Sequence, residues 1–99
     1  MERALEEVLH VYDIPSKDAL LAPYAPPSSS QAAALKVLYG VYRSLGLSAN
    51  QIGDDLLRDP TTVIRGLRRM ENGPGASDTL ARTVYRRIVT DVLHIPPAF

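Results

Sequence analysis

Apolar residues in this chain recur at helical spacing, and nowhere do they alternate as a half-buried strand requires. Leu5, Val8, Leu9 and Tyr12 fall on one stripe of residues 2–12. Ala34, Leu35, Leu38, Val41, Tyr42 and Leu45 form the longest stripe, which predicts a central core helix over residues 31–45. Val63, Ile64, Leu67 and Met70 repeat the pattern. Proline and glycine cut these stripes into short pieces. Ile14-Pro15 ends the first, because the residue before a proline is pushed out of the helical region. Pro23, Pro26 and Pro27 make residues 22–30 the main loop. Asn72-Gly73-Pro74-Gly75 stops the helix of Val63 and Met70, and Ile95-Pro96-Pro97 opens a tail. The expected fold is all-α, a compact bundle of five to six helices in a single domain spanning residues 1–99.

Helix starts are marked by side chains that accept from free backbone N–H groups. Ser16 caps a short turn through Leu21, and Ser29 or Ser30 caps the long helix, with Gly46 at its C-terminal end. Ser48 and Gln51 have capping-box spacing, which places a helix at 49–56. Asp59-Pro60 is the strongest signal: Asp59 suits the cap, and proline suits the first helical position, where its missing N–H is not needed. Ser77-Asp78 is expected to cap a last helix reaching about residue 93.

Composition narrows the function classes. Apolar residues are 45% and charged residues 22%, as in an ordinary globular protein. Cysteine is absent, which excludes disulfides, thiolate chemistry and cysteine zinc sites and fits a reducing cytosol. No apolar run approaches the ~20 residues of a membrane span, and the first residues do not form a secretion signal. A cytoplasmic location follows as the expectation. Net charge is zero, so the placement of charge carries any argument about partners. Glu2, Glu6, Glu7, Asp13 and Asp18 gather near the start. Arg58, Arg65, Arg68 and Arg69 face one acid, Asp59, in residues 58–70, and Arg82, Arg86 and Arg87 follow.

Residues 48–71 read as two short helices joined by a tight turn, the helix-turn-helix pattern in which the N-terminal residues of the second helix meet base edges in the major groove. Thr61 and Thr62 can bond bases or phosphates and touch a thymine methyl, Asp59 can accept from cytosine N4, and the helix N-terminus suits a phosphate. Arg58-Asp-Pro-Thr-Thr-Val-Ile-Arg-Gly-Leu-Arg-Arg-Met-Glu71 resembles the signature of the C-terminal DNA-binding domain (domain IV) of DnaA, the bacterial replication initiator. Leu47-Ser48 and Ile52-Gly53 match that family's Leu-Ser-x-x-x-Ile-Gly stretch, residues 14–21 resemble its short second helix, and Tyr39 is in register on the long one. The resemblance covers most of residues 5–71. It implies a Trp-repressor-like helix-turn-helix that reads double-stranded DNA with Asp59, Pro60, Thr61 and Thr62. It also implies a contact from Arg58. With the clustering of arginines around this helix, the expectation is that Arg65, Arg68 and Arg69 lie on phosphates or bases and that the role is regulatory, in replication or transcription.

Three departures set further expectations. Pro60 replaces the family's histidine and its side-chain donor. The family's basic loop before the long helix is uncharged here, and its Ala-Arg-Gln triplet is Ala33-Ala34-Leu35. Each lost phosphate contact weakens the salt-dependent part of binding, so affinity for the family's usual site should fall by orders of magnitude. No Gly-x-x-x-x-Gly-Lys-Ser/Thr occurs, so the chain is expected to be a divergent stand-alone relative rather than the initiator.

Other readings accompany these. The arginines can form a solvated face bonded to Asp54, Asp55 or Glu71. The fold can serve as a protein-interaction module that has lost tight DNA binding, using the acidic first helix or the tail. Asp54 and Asp55 are adjacent on a helix and do not face each other, which disfavours a metal site. His10 and His94 read as helix-end residues, and Tyr39 and Tyr42 as core. Gly66 admits a close approach, either of a neighbouring helix or of DNA. No nucleophile–base pair, metal cluster or phosphate loop can be assembled, so no catalysis, cofactor, metal or small-molecule substrate is expected.

Overall fold

Capping side chains and left-handed residues set the element boundaries. The computed structural model describes residues 2–23 and 29–99; the centre of the expected main loop, residues 24–28, lies outside the described residues. Among the described residues there are six α-helices and no strand: α1 (Glu2–Val11), α2 (Lys17–Leu20), α3 (Ser30–Ser44), α4 (Ala49–Leu56), α5 (Pro60–Asn72) and α6 (Ala76–Arg87). α6 continues into a π-helical turn, Ile88–Val92. Ser16 and Ser29 cap α2 and α3, accepting from Ala19 N (3.2 Å) and Ala32 N (3.1 Å).

Two boundaries differ from expectation. α1 stops at Val11, ahead of the Ile14-Pro15 bond, because Asp13 adopts the left-handed conformation (φ 54°). Asp13 N and Ile14 N then donate to the carbonyls of His10 (3.2 Å) and Leu9 (2.9 Å), which the helix end would leave unpaired. Gly46 and Leu47 close α3 in the same pattern on Arg43 (3.0 Å) and Tyr42 (3.1 Å). At α6 the N-cap is Gly75, with no side-chain cap bond, rather than Ser77-Asp78. Asp78 instead turns inward, 2% exposed, and accepts from Lys36 Nζ at 2.6 Å.

α3 is the central helix, packed against each of the other five and against the π turn. Its stretch from Ala33 to Val41 is buried throughout, and Lys36 is buried with it. Val8 of α1, Leu20 of α2, Ile52 and Leu56 of α4, Val63 and Met70 of α5, and Tyr85 of α6 close around it. Each fully buried aliphatic side chain contributes roughly 1.5–3 kcal/mol, so the fit around α3 dominates stability. The result is compact, 31 × 27 × 26 Å. Among the described residues no helix is long and apolar enough to cross a membrane.

Candidate nucleic-acid interface

α4 and α5 are joined by three residues, 57–59, and the sequence explains how so short a turn closes. Ser48 and Gln51 form a full capping box at the start of α4, with Gln51 N to Ser48 Oγ at 3.2 Å and Ser48 N to Gln51 Oε1 at 2.8 Å. At the other end Leu57 is left-handed (φ 57°), and Arg58 N donates to the Gly53 carbonyl at 2.8 Å. The chain doubles back so tightly that a Cβ on Gly53 would overlap the Arg58 carbonyl oxygen. Asp59 Oδ1 then accepts from Thr61 N at 2.8 Å, and Pro60 occupies the first helical position.

This turn orients α5. Val63, Gly66 and Met70 face inward, and Leu67 is half-buried. Thr61, Thr62, Arg65, Arg68 and Arg69 are exposed on the other side, with Ile64 at the flank. Gly66 lies against Tyr39, whose ring atoms would stand 2.5–2.6 Å from an added Cβ. The close approach at Gly66 is therefore to α3. Burial pushes the Tyr39 hydroxyl up, opposed in part by the charge of Arg58.

The arginines divide into two groups. Arg65 and Arg68 are exposed and make no ion pair or hydrogen bond among the described residues. Arg69 stays exposed but its Nε lies 3.6 Å from Asp78 Oδ2. Arg58 is half-buried and faces inward: Nη2 donates to the Ala22 carbonyl (2.7 Å), and Nη1 to those of Leu57 (3.1 Å) and Leu21 (3.4 Å). None of them bonds Asp54, Asp55 or Glu71. Asp55 accepts from the Tyr42 hydroxyl instead, and burial together with the Asp55 bond and charge pushes that phenol well above its ordinary value. Tyr42 is thus half-buried at the surface of the core, whereas Tyr39 lies within it.

A polar cluster behind α5 was invisible in the sequence. Asp78 joins Lys36, Arg69 and Arg82 around the C-terminal end of α5. Burial alone would raise the Asp78 carboxyl, but the Lys36 hydrogen bond and the charges of Lys36, Arg69 and Arg82 hold it below its ordinary value. Arg82 donates to the carbonyls of Arg69 (3.2 Å), Met70 (3.4 Å) and Gly73 (2.9 Å), which cap that end. Of the remaining arginines, Arg86 is exposed and Arg87 bonds Glu7 on α1 at 2.8 Å. His10 sits in the last turn of α1, and His94 follows the π turn. Among the described residues no group of three or more His, Asp or Glu side chains gathers as a metal site.

The outward face of α5 thus carries two hydroxyls at its positive N-terminal end and guanidinium groups about one turn (Arg65) and two turns (Arg68, Arg69) along, a pattern that suits a polyanion. No protein-family model, curated protein or solved structure matches this chain.

Proposed function

We propose that the chain binds double-stranded DNA in a sequence-dependent way. α4 and α5 act as a helix-turn-helix, as a divergent relative of the DnaA C-terminal domain whose signature residues 58–71 resemble. Thr61 and Thr62 meet bases in the major groove, and Arg65, Arg68 and Arg69 contact phosphates or bases. The role is regulatory, in replication or transcription, which would put the protein on the nucleoid. The observation that carries this reading is that Arg65 and Arg68 are exposed and unpaired among the described residues, beside exposed Thr61 and Thr62 on one helix. A protein-interaction module is the second reading. It is favoured by Leu57 and Ile64, apolar side chains 69% and 41% exposed on the turn and on α5, and by the inward commitment of Arg58.

The test is a titration against duplexes carrying a DnaA-type box and against random duplexes, from low to moderate salt. The DNA reading predicts that affinity falls as salt rises. Arg65→Ala should weaken binding and lower the log–log salt slope by about 0.9, the value of one phosphate contact, and Lys17→Ala should do neither. Binding with no salt slope, or equal effects of the two variants, would reject it. No binding at low salt would leave the interaction module as the better reading.

A further inference from the structure

Arg58 sits at the turn that presents α5, yet its guanidinium points into the fold. α2 is a four-residue helix, too short to satisfy its own last carbonyls. The carbonyls of Leu20, its last residue, and of Leu21 and Ala22 just after it are met by two side chains distant in sequence. Gln31 Nε2, from the first turn of α3, donates to Leu20 O at 2.9 Å and Ala22 O at 3.1 Å. Arg58 donates to Leu21 O and, at 2.7 Å, to the same Ala22 O. A third bond, to Leu57 O, fixes the guanidinium to its own turn. The planar fork of arginine makes these bonds to several carbonyls at once; a lysine ammonium is a single point donor on a flexible stem.

We infer that Arg58 is a positioning residue rather than a DNA ligand. It clamps the end of α2 and the start of the α2–α3 connection against the α4–α5 turn, and so sets how the tip of α5 is presented. The consequence for binding rests on the DNA reading above; the clamp itself does not. Because its Nη groups are bonded to carbonyls inside the protein, removing Arg58 should leave the number of neutralised phosphates unchanged while loosening the element that carries them.

The experiment combines thermal unfolding with duplex titration over a range of salt for the wild type, Arg58→Ala, Arg58→Lys, Gln31→Ala, the Gln31→Ala/Arg58→Ala double variant and Arg65→Ala. The clamp predicts that Arg58→Ala lowers Tm by several degrees, that Arg58→Lys restores part of the loss, and that the double variant departs from the sum of the singles, because both side chains serve the Ala22 carbonyl. In the titration, Arg58→Ala should displace the line of log K against log salt downward in parallel, whereas Arg65→Ala should flatten it. An unchanged Tm in Arg58→Ala, or a slope lowered as much as by Arg65→Ala, overturns the inference. If Arg58→Ala does not fold, Arg58→Lys decides by the same two readings. If the wild type itself binds no duplex, the DNA reading fails, and the Tm values and the non-additivity still decide the clamp.

Discussion

Gly66 shows how much a single missing atom decides. In an isolated helix, alanine would be favoured over glycine by about 1 kcal/mol. Here the added methyl would stand 2.5 Å from the ring of Tyr39, which is 3% exposed and packs from α3 against α5. A buried aromatic ring cannot swing aside as an exposed lysine tip can, and overpacking of this kind costs about 1–3 kcal/mol. The steric term should win. Gly66→Ala is expected to lower Tm by several degrees in a thermal melt; a raised Tm would show that the ring has room to move. The sequence left the partner at Gly66 open because period alone shows that a glycine lies on the inward face, not what meets it. Tyr39 lies 27 positions earlier in the chain, and only the packing of α3 on α5 brings the two together. Thr61 and Thr62 are the opposite case. Their exposure was legible, because Asp59-Pro60 sets the helical phase and Val63 and Met70 set the buried side.

At the scale of elements, α5 is secured at both ends by different means. Its N-terminus is local: Asp59 caps and Pro60 starts the helix, as adjacent residues predict. Its C-terminus is tertiary: Arg82 of α6 bonds the final carbonyls, and Asp78 draws Lys36 and Arg69 together behind them. Ser77-Asp78 reads as a cap because short acceptor side chains at a helix start suit the free backbone N–H groups, and nothing local tells whether such a side chain turns inward instead. The partner of Asp78, Lys36, is 42 residues away, beyond the reach of any local pattern. The pair should be visible in the pH dependence of stability. The folded Asp78 carboxyl lies below its ordinary value of 3.8. A depressed carboxylate contributes stability that is present above the unfolded value and lost as pH falls through the folded one. Urea unfolding of the wild type should therefore lose stability below about pH 4 more steeply than that of Asp78→Asn, which has no such carboxylate to protonate. At neutral pH, Asp78→Ala should cost about 3–5 kcal/mol, because the Lys36 ammonium is left buried without its partner. Equal acid limbs in the two proteins would contradict the role given to this cluster.

Over the whole molecule, zero net charge conceals polarity. The acids of α1 and the guanidinium groups of α5 lie on different elements; the exposed Arg87–Glu7 pair ties α1 to α6 instead and contributes at most about 1 kcal/mol. The all-helical bundle was legible because its stripes, its prolines and the caps of α2 to α5 agree, and the longest stripe belongs to the central helix α3. The inward turn of Arg58 was not, since a turn arginine beside a helix start looks the same in sequence whether it meets carbonyls or phosphates. On the proposed DNA reading, the outward face of α5, from Thr61 to Arg68, meets the duplex. Backbone amide shifts in a 1H–15N NMR titration with duplex DNA at low salt would map that surface. The largest shifts should fall on Thr61, Thr62, Arg65 and Arg68 and fade as salt is added. Shifts centred on α1 or the 95–99 tail, or none anywhere, would contradict it.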